Sequence, residues 1–180
     1  SRGFMEAIAD FVGPDKDIPA PDVYTNAQVM GWMMDTYSKM KGKFTPGVIT
    51  GKPLGIGGSK GRNEATARGC VITIKEALKE LDLPIENATV AIQGFGNAGR
   101  IASRLLAELG CKIVAISDSQ GGIYHSEGLD VDDVCVCKDE GSISNYTAAE
   151  RHITSDELLE LDVDVLIPAA LENVITSLNA

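Results

Sequence analysis

The sequence has no apolar run approaching the roughly 20 residues that a membrane-spanning helix needs, and its first residues lack a secretory signal pattern. The cytoplasm is the expected compartment. Basic residues are scarce too: 16 Lys and Arg stand against 26 Asp and Glu, a formal net charge of −10. Nucleic acid and anionic membrane surfaces would repel such a chain, which argues against either as a partner. The four cysteines, Cys70, Cys111, Cys135 and Cys137, form no CxxC, and His125 and His152 stand far apart, so no metal site is expected. Reduced thiols packed as small hydrophobes are the simpler reading. A triphosphate loop is also missing. In residues 47–61 (GVITGKPLGIGGSKG) three residues separate Gly47 from Gly51-Lys52 where four are required, and Pro53 replaces the Ser or Thr that would hold Mg²⁺.

What remains is an ordinary globular composition, 44% hydrophobic and 23% charged over 180 residues, enough for one domain or parts of two. The most informative stretch is residues 87–118. An apolar run (TVAIQ, 89–93) meets Gly94-Phe95-Gly96-Asn97-Ala98-Gly99, and an amphipathic segment follows with Ile101, Leu105, Leu106 and Leu109 on its apolar positions. A second apolar run (KIVAIS, 112–117) ends at Asp118, in the spacing of a dinucleotide-binding strand-helix-strand unit. Gly94 permits the sharp turn, Gly96 leaves the backbone open to a pyrophosphate, and Gly99 lets the helix lie close on the sheet. Main-chain N–H groups at the helix start would face the phosphates. Asp118 can accept hydrogen bonds from the adenosine ribose hydroxyls, which leans toward NAD, although Ser117, Ser119 and Gln120 could donate to the extra phosphate of NADP. The bland alternative is that the glycines only make a tight turn.

Upstream, residues 2–11 predict a helix with Phe4, Ile8 and Phe11 on one face, ended by Gly13-Pro14. Pro19 and Pro21 stiffen the loop that carries Asp22. Two readings of Asp22 stay open at this point: a cap of the next helix, or a preorganised acid/base group. Residues 26–40 repeat Met30, Met33, Met34 and Tyr37 at helical spacing, a core stripe. Residues 62–83 read as helix, with Thr66 near its start, although Val71-Ile72-Thr73-Ile74 would also suit a strand. Downstream, Gly121-Gly122 predicts a turn and residues 129–140 a helix. Thr154 with Glu157 makes a capping box for a helix over 155–161. Residues 163–167 read as the next parallel strand, with Ala169, Ala170 and Asn173 beyond its carboxyl end, where such sheets bind ligands. Asn173 is equally suited to capping.

Four blocks occur in order: DIPAPDV (17–23), GKP at 51–53 running through GGSKGRNEAT (57–66), GFGNAG (94–99) and PAALEN (168–173). Together they resemble the Glu/Leu/Phe/Val dehydrogenase family, in particular hexameric archaeal and bacterial glutamate dehydrogenases. The resemblance implies an α/β fold: a Rossmann-type dinucleotide-binding domain with a parallel sheet over residues 62–180, incomplete at its C-terminus. Before it come the end of a substrate domain (1–44) and a glycine-rich crossover (45–61). The resemblance further implies Asp22 as the catalytic proton carrier, Thr66 and Asn97 at the nicotinamide carboxamide, residues 94–99 at the pyrophosphate and Asn173 at the nicotinamide ribose. NAD or NADP, L-glutamate with 2-oxoglutarate and ammonia, and a homo-hexamer are the implied cofactor, substrates and assembly. The family's catalytic and carboxylate-binding lysines belong to a segment before Ser1, and Lys52 and Lys60 fall in a different motif, so the chain is expected to be an inactive piece of such an enzyme. A leucine, phenylalanine or valine dehydrogenase and a non-catalytic dinucleotide-binding module are the alternatives.

Overall fold

A computed structural model describes residues 1–179, and the chain divides into two compact units, Ser1–Asn63 and Glu64–Ala180. In the first unit α1 (Arg2–Ile8) packs on α2 (Ala27–Lys41). The stripe Met30, Met33, Met34 and Tyr37 is buried, against Met5, Ala9, Val12, Val48 and Ile49. Asn26 starts α2 by accepting the Val29 N–H at 3.1 Å, and Gly42, at φ +63°, ends it with its N–H turned back to the Lys39 carbonyl.

Of the predicted α1 face only Ile8 packs on the core. Phe4 and Phe11 are exposed, at 59% and 73%, while Met5 and Ala9 are buried and the helix stops at Ile8. Positions 4, 8, 11 and positions 5, 9, 12 are both apolar stripes one residue apart. The pliable Met5 and small Ala9 fit against the methionine face of α2 where two phenyl rings would crowd it.

The second unit is a five-stranded sheet in the order β4-β3-β2-β1-β5. Parallel β1 (Thr89–Gln93), β2 (Lys112–Asp118) and β5 (Val165–Pro168) form the expected part. Antiparallel β3 (Gly121–Tyr124) and β4 (Arg151–Ile153) extend it past β2. Gly121-Gly122 is therefore the start of a strand. A Cβ on Gly122 would come 3.0 Å from that of Ser117 and 3.1 Å from Ile153 Cγ1, so the glycine serves close strand packing.

α3 (Arg62–Glu80), α4 (Asn97–Glu108) and α5 (Val131–Asp139) contribute Ala67, Val71, Leu78, Ala102, Leu106, Val134 and Cys135 to one core with Val90, Ile92 and Ile116. The strand alternative for residues 71–74 is excluded: they lie inside α3, with Val71 turned to that core and Ile72 outward. Leu109, expected on the buried face of α4, is exposed and follows the helix, which Gly110 closes at φ +88°. α6 (Ser155–Leu159), shorter than the predicted 155–161, buries Leu158 with Ala91, Ala115 and Ile153 in a second core cluster. Its capping box is present, with the Glu157 carboxylate accepting the Thr154 N–H at 2.6 Å and Thr154 Oγ1 accepting the Glu157 N–H at 3.1 Å. Among the described residues no helix is long and apolar enough to cross a membrane.

Candidate functional site

The carboxyl ends of β1, β2 and β5 converge on the glycine bend. The Gly94 N–H donates to the Ser117 carbonyl at 2.8 Å and the Ala169 N–H to the Gln93 carbonyl at 2.7 Å. Gly94 sits at φ +95°, and a Cβ there would fall 2.5 Å from the Ala169 carbonyl oxygen. The bend and the Ala169-Ala170 segment, separate in sequence, are thus brought into contact. Gly99 has a packing reason as well, because its Cβ would lie 1.9 Å from the Gly94 carbonyl oxygen.

Gly96 differs from both. Its φ is −87° and nothing lies within 4 Å of the place a Cβ would take, so neither backbone geometry nor packing requires glycine there. It stands at the N-cap of α4 and supplies no side-chain cap. A first helical turn without a side-chain cap, opened by an unobstructed glycine, is suited to an anion. The donor set fits the diphosphate of a dinucleotide.

Phe95 is 3% exposed, with its ring in the core, which leaves only its main chain for a ligand. Asn97 is exposed at the first position of α4, Ala98 is half-buried and Ser119 is exposed. Thr66 is exposed in the first turns of α3. Asn173 lies outside any helix and holds φ +63°, the left-handed region, so no helix cap explains it.

Asp118 ends β2 with its side chain only 5% exposed, and both of its oxygens are engaged. Oδ1 accepts the Gln120 N–H at 2.8 Å, and Oδ2 pairs with Lys138 Nζ at 2.6 Å. Lys138 is the residue that sequence reasoning missed. It comes from the last turn of α5, 20 positions downstream, and no local pattern announces that partnership. Its neighbour Asp139 takes Arg100, in the first turns of α4, through two bonds of 2.6 Å. That guanidinium, hydrogen-bonded to Asp139, holds the Asp139 carboxyl below the usual range. Consecutive residues of α5 therefore tie the tip of β2 and the start of α4 to one turn.

Asp22 belongs to the first unit and is exposed. It does not cap α2, which Asn26 does. Its Oδ1 accepts the Val23 N–H at 2.8 Å, its own N–H donates to Thr25 Oγ1 at 2.8 Å, and the Thr25 hydroxyl donates to the Asp22 carbonyl at 2.7 Å. The carboxylate keeps its second oxygen for other work. Among the described residues no group of three or more His, Cys, Asp or Glu is arranged to hold a metal.

Two family models match: Glutamate/Leucine/Phenylalanine/Valine dehydrogenase over residues 57–180, and the Glu/Leu/Phe/Val dehydrogenase dimerisation domain over residues 1–39. The catabolic NAD-specific glutamate dehydrogenase of Bacillus subtilis is 50% identical over all of this chain and 42% of its own length. The NADP-specific glutamate dehydrogenase of Synechocystis is 52% identical, over all of this chain and 44% of its own. Among solved structures, the hetero-hexameric glutamate dehydrogenase of Thermus thermophilus in its Leu-bound form superposes with a TM-score of 0.88 at 35% identity. That match covers 97% of this chain and 41% of that one. The chain thus spans about two fifths of the length of these relatives.

Proposed function

The chain belongs to the Glu/Leu/Phe/Val dehydrogenase family, and from that premise we propose that it is the cofactor-binding part, with the adjoining edge of the substrate domain, of an NAD(P)-dependent glutamate dehydrogenase. The whole enzyme would interconvert L-glutamate with 2-oxoglutarate and ammonia, as a homo-hexamer in the cytoplasm. Residues 1–44 would be the end of the substrate domain, 45–61 the crossover and 62–180 the cofactor domain.

The observation that carries this reading is Gly96, a glycine that neither φ nor packing demands, standing with open space around it at the N-cap of α4. The resemblance, at about half identity, to relatives named glutamate dehydrogenase favours glutamate over leucine, phenylalanine or valine.

A bound nicotinamide supplies hydride acceptance from the substrate Cα. This chain's own residues would bind and orient that group and move protons. The main chain of residues 94–99 would bind the diphosphate, and Ser119 the adenosine ribose together with Asp118, whose oxygens would have to share the bonds they already make to the Gln120 N–H and Lys138 Nζ. Thr66 and Asn97 would orient the carboxamide, with Ala169, Ala170 and Asn173 toward the nicotinamide ribose. Asp22 would carry protons as the amine is oxidised and the imine hydrolysed, a task that suits a carboxylate with one uncommitted oxygen on a stiff loop.

The test has two parts. NADH and NADPH fluorescence titrations should saturate with the parent protein and fail with Gly96→Val, which should stay folded at a melting temperature lowered only by the loss of a favoured N-cap residue. The full-length protein should oxidise L-glutamate in preference to leucine, phenylalanine and valine, and Asp22→Asn should reduce turnover to a small residual rate while leaving cofactor affinity in place. Cofactor binding that survives Gly96→Val would refute the phosphate site.

A further inference from the structure

We propose that Gly51 and Thr25 are positioning residues for the Asp22 carboxylate, holding it from two sides; this rests on the proton-carrying role proposed above for Asp22.

The first side is the chain before Asp22. The Pro19 carbonyl accepts the Thr50 N–H at 3.0 Å, which pins residues 19–21 to the segment that follows the buried Val48 and Ile49. Gly51 comes next, at φ +66°, and its bare Cα lies under the ring of Pro21. A Cβ there would stand 2.4 Å from Pro21 Cγ and 2.7 Å from Cδ. Real side chains do not approach so closely, so any residue but glycine must push the Pro21 ring away. Proline transmits the push, because its φ is fixed and Asp22 is bonded directly to it.

Gly51 itself cannot easily yield. Lys52 Nζ donates back to the Ile49 carbonyl at 2.8 Å, and the Gly58 N–H donates to the Pro53 carbonyl at 3.1 Å. A Cβ on Gly58 would meet the Lys52 carbonyl oxygen at 2.0 Å, so residues 51–58 are folded tightly on themselves. The strut from Pro19 to Pro21 is therefore seated on a rigid base, and displacing it moves Asp22.

The second side is the chain after Asp22. Thr25 closes a ring with Asp22: its hydroxyl accepts the Asp22 N–H and donates to the Asp22 carbonyl, while its own N–H donates to that carbonyl at 3.0 Å. Asn26 then caps α2, whose methionine face is buried. Main-chain freedom at Asp22 is thus restricted from both directions. A misplacement of about 1 Å can cost a reaction of this type roughly a hundredfold in rate.

The experiment uses the full-length protein with L-glutamate and NAD or NADP, and reads kcat, cofactor Kd and melting temperature. Gly51→Ala and Thr25→Val should each lower kcat by about ten- to a hundredfold, with cofactor Kd unchanged within about twofold, since the cofactor would bind the other unit. Gly55→Ala, in the same loop with open space around the added Cβ, should behave as the parent. In an Asp22→Asn background, Thr25→Val should add no further loss of residual turnover, because it acts through the carboxylate that is already gone. Thr25 is exposed, so its variant keeps the test open if Gly51→Ala does not fold. Parental kcat in folded Gly51→Ala or in Thr25→Val, or an undiminished loss on the Asp22→Asn background, would overturn the inference. Full turnover in Asp22→Asn alone would instead bring down the role of Asp22, and the positioning role with it.

Discussion

Gly94, Gly96 and Gly99 belong to one motif but answer to different forces. Gly94 and Gly99 are set by close backbone approaches, at 2.5 and 1.9 Å from where a Cβ would stand, whereas Gly96 has open space. Gly99→Ala should therefore destabilise the second unit by about 1–3 kcal/mol, read by denaturant unfolding, while Gly96→Ala should cost less, about 0.5–1 kcal/mol for the N-cap glycine it replaces, and weaken cofactor binding. Equal destabilisation by both would make the motif purely architectural. Lys138 gives a second prediction at this scale. It offsets the Asp118 charge beside the expected ribose site, so Lys138→Met should weaken NADPH relative to NADH by roughly tenfold or more, the worth of one charge-assisted bond. Loss of both cofactors in parallel would mean that the lysine only supports the fold. The glycine spacing and Asp118 were legible in the sequence because the strand-helix-strand unit is local. Lys138 was not, because an ion pair across 20 positions depends on where α5 lies over the sheet.

The same division holds for the elements. Strands β1 and β2 announce themselves by continuous apolar runs, since parallel strands inside the sheet are covered on both faces, and the edge strand β5 by a shorter one. The short β3, opened by two glycines, carries no such run, and its strand character comes from pairing with β2 and β4. Periodicity says that α1 is a helix but cannot choose between two overlapping apolar stripes, and the methionine face of α2 decides. Where β1 and β5 begin, Asp164 Oδ2 accepts both the N–H and the hydroxyl of Thr89, each at 2.8 Å, and the Asp164 N–H returns a bond to the Thr89 hydroxyl at 3.0 Å. These bonds hold the carboxyl below its usual range, the backbone N–H contributing most. Asp164→Ala should cost roughly 1 kcal/mol at neutral pH once solvent screening is allowed for. Because the folded-state value is the lower one, that cost should vanish as pH falls through it. A cost that persists at pH 2 would locate the effect in packing.

At the scale of the whole molecule two electrostatic effects oppose each other on acidification. A net charge of −10 repels itself, and protonation toward the sequence pI of about 4.6 relieves that repulsion. Against this stand carboxylates held below their usual values by specific partners: Asp10 by Lys41, Asp35 by Arg2 and Lys39, Asp139 by Arg100, Glu150 by Ser126 and Glu157 by Thr154. Each has a folded value below its unfolded one, so each contributes stability above about pH 4 and loses it as pH falls through the folded value. The diffuse repulsion is screened over about 8 Å at 0.15 M salt, whereas the paired groups lie at hydrogen-bond distance, well inside that length. At physiological salt the melting temperature should therefore stay level from pH 7 to about 5 and fall below pH 4. At 10 mM salt, where screening reaches about 30 Å, a shallow rise between pH 7 and 5 should come first. A rise that continues below pH 4 at 0.15 M would mean that the overall charge, and not these paired carboxylates, governs how the chain responds to acid.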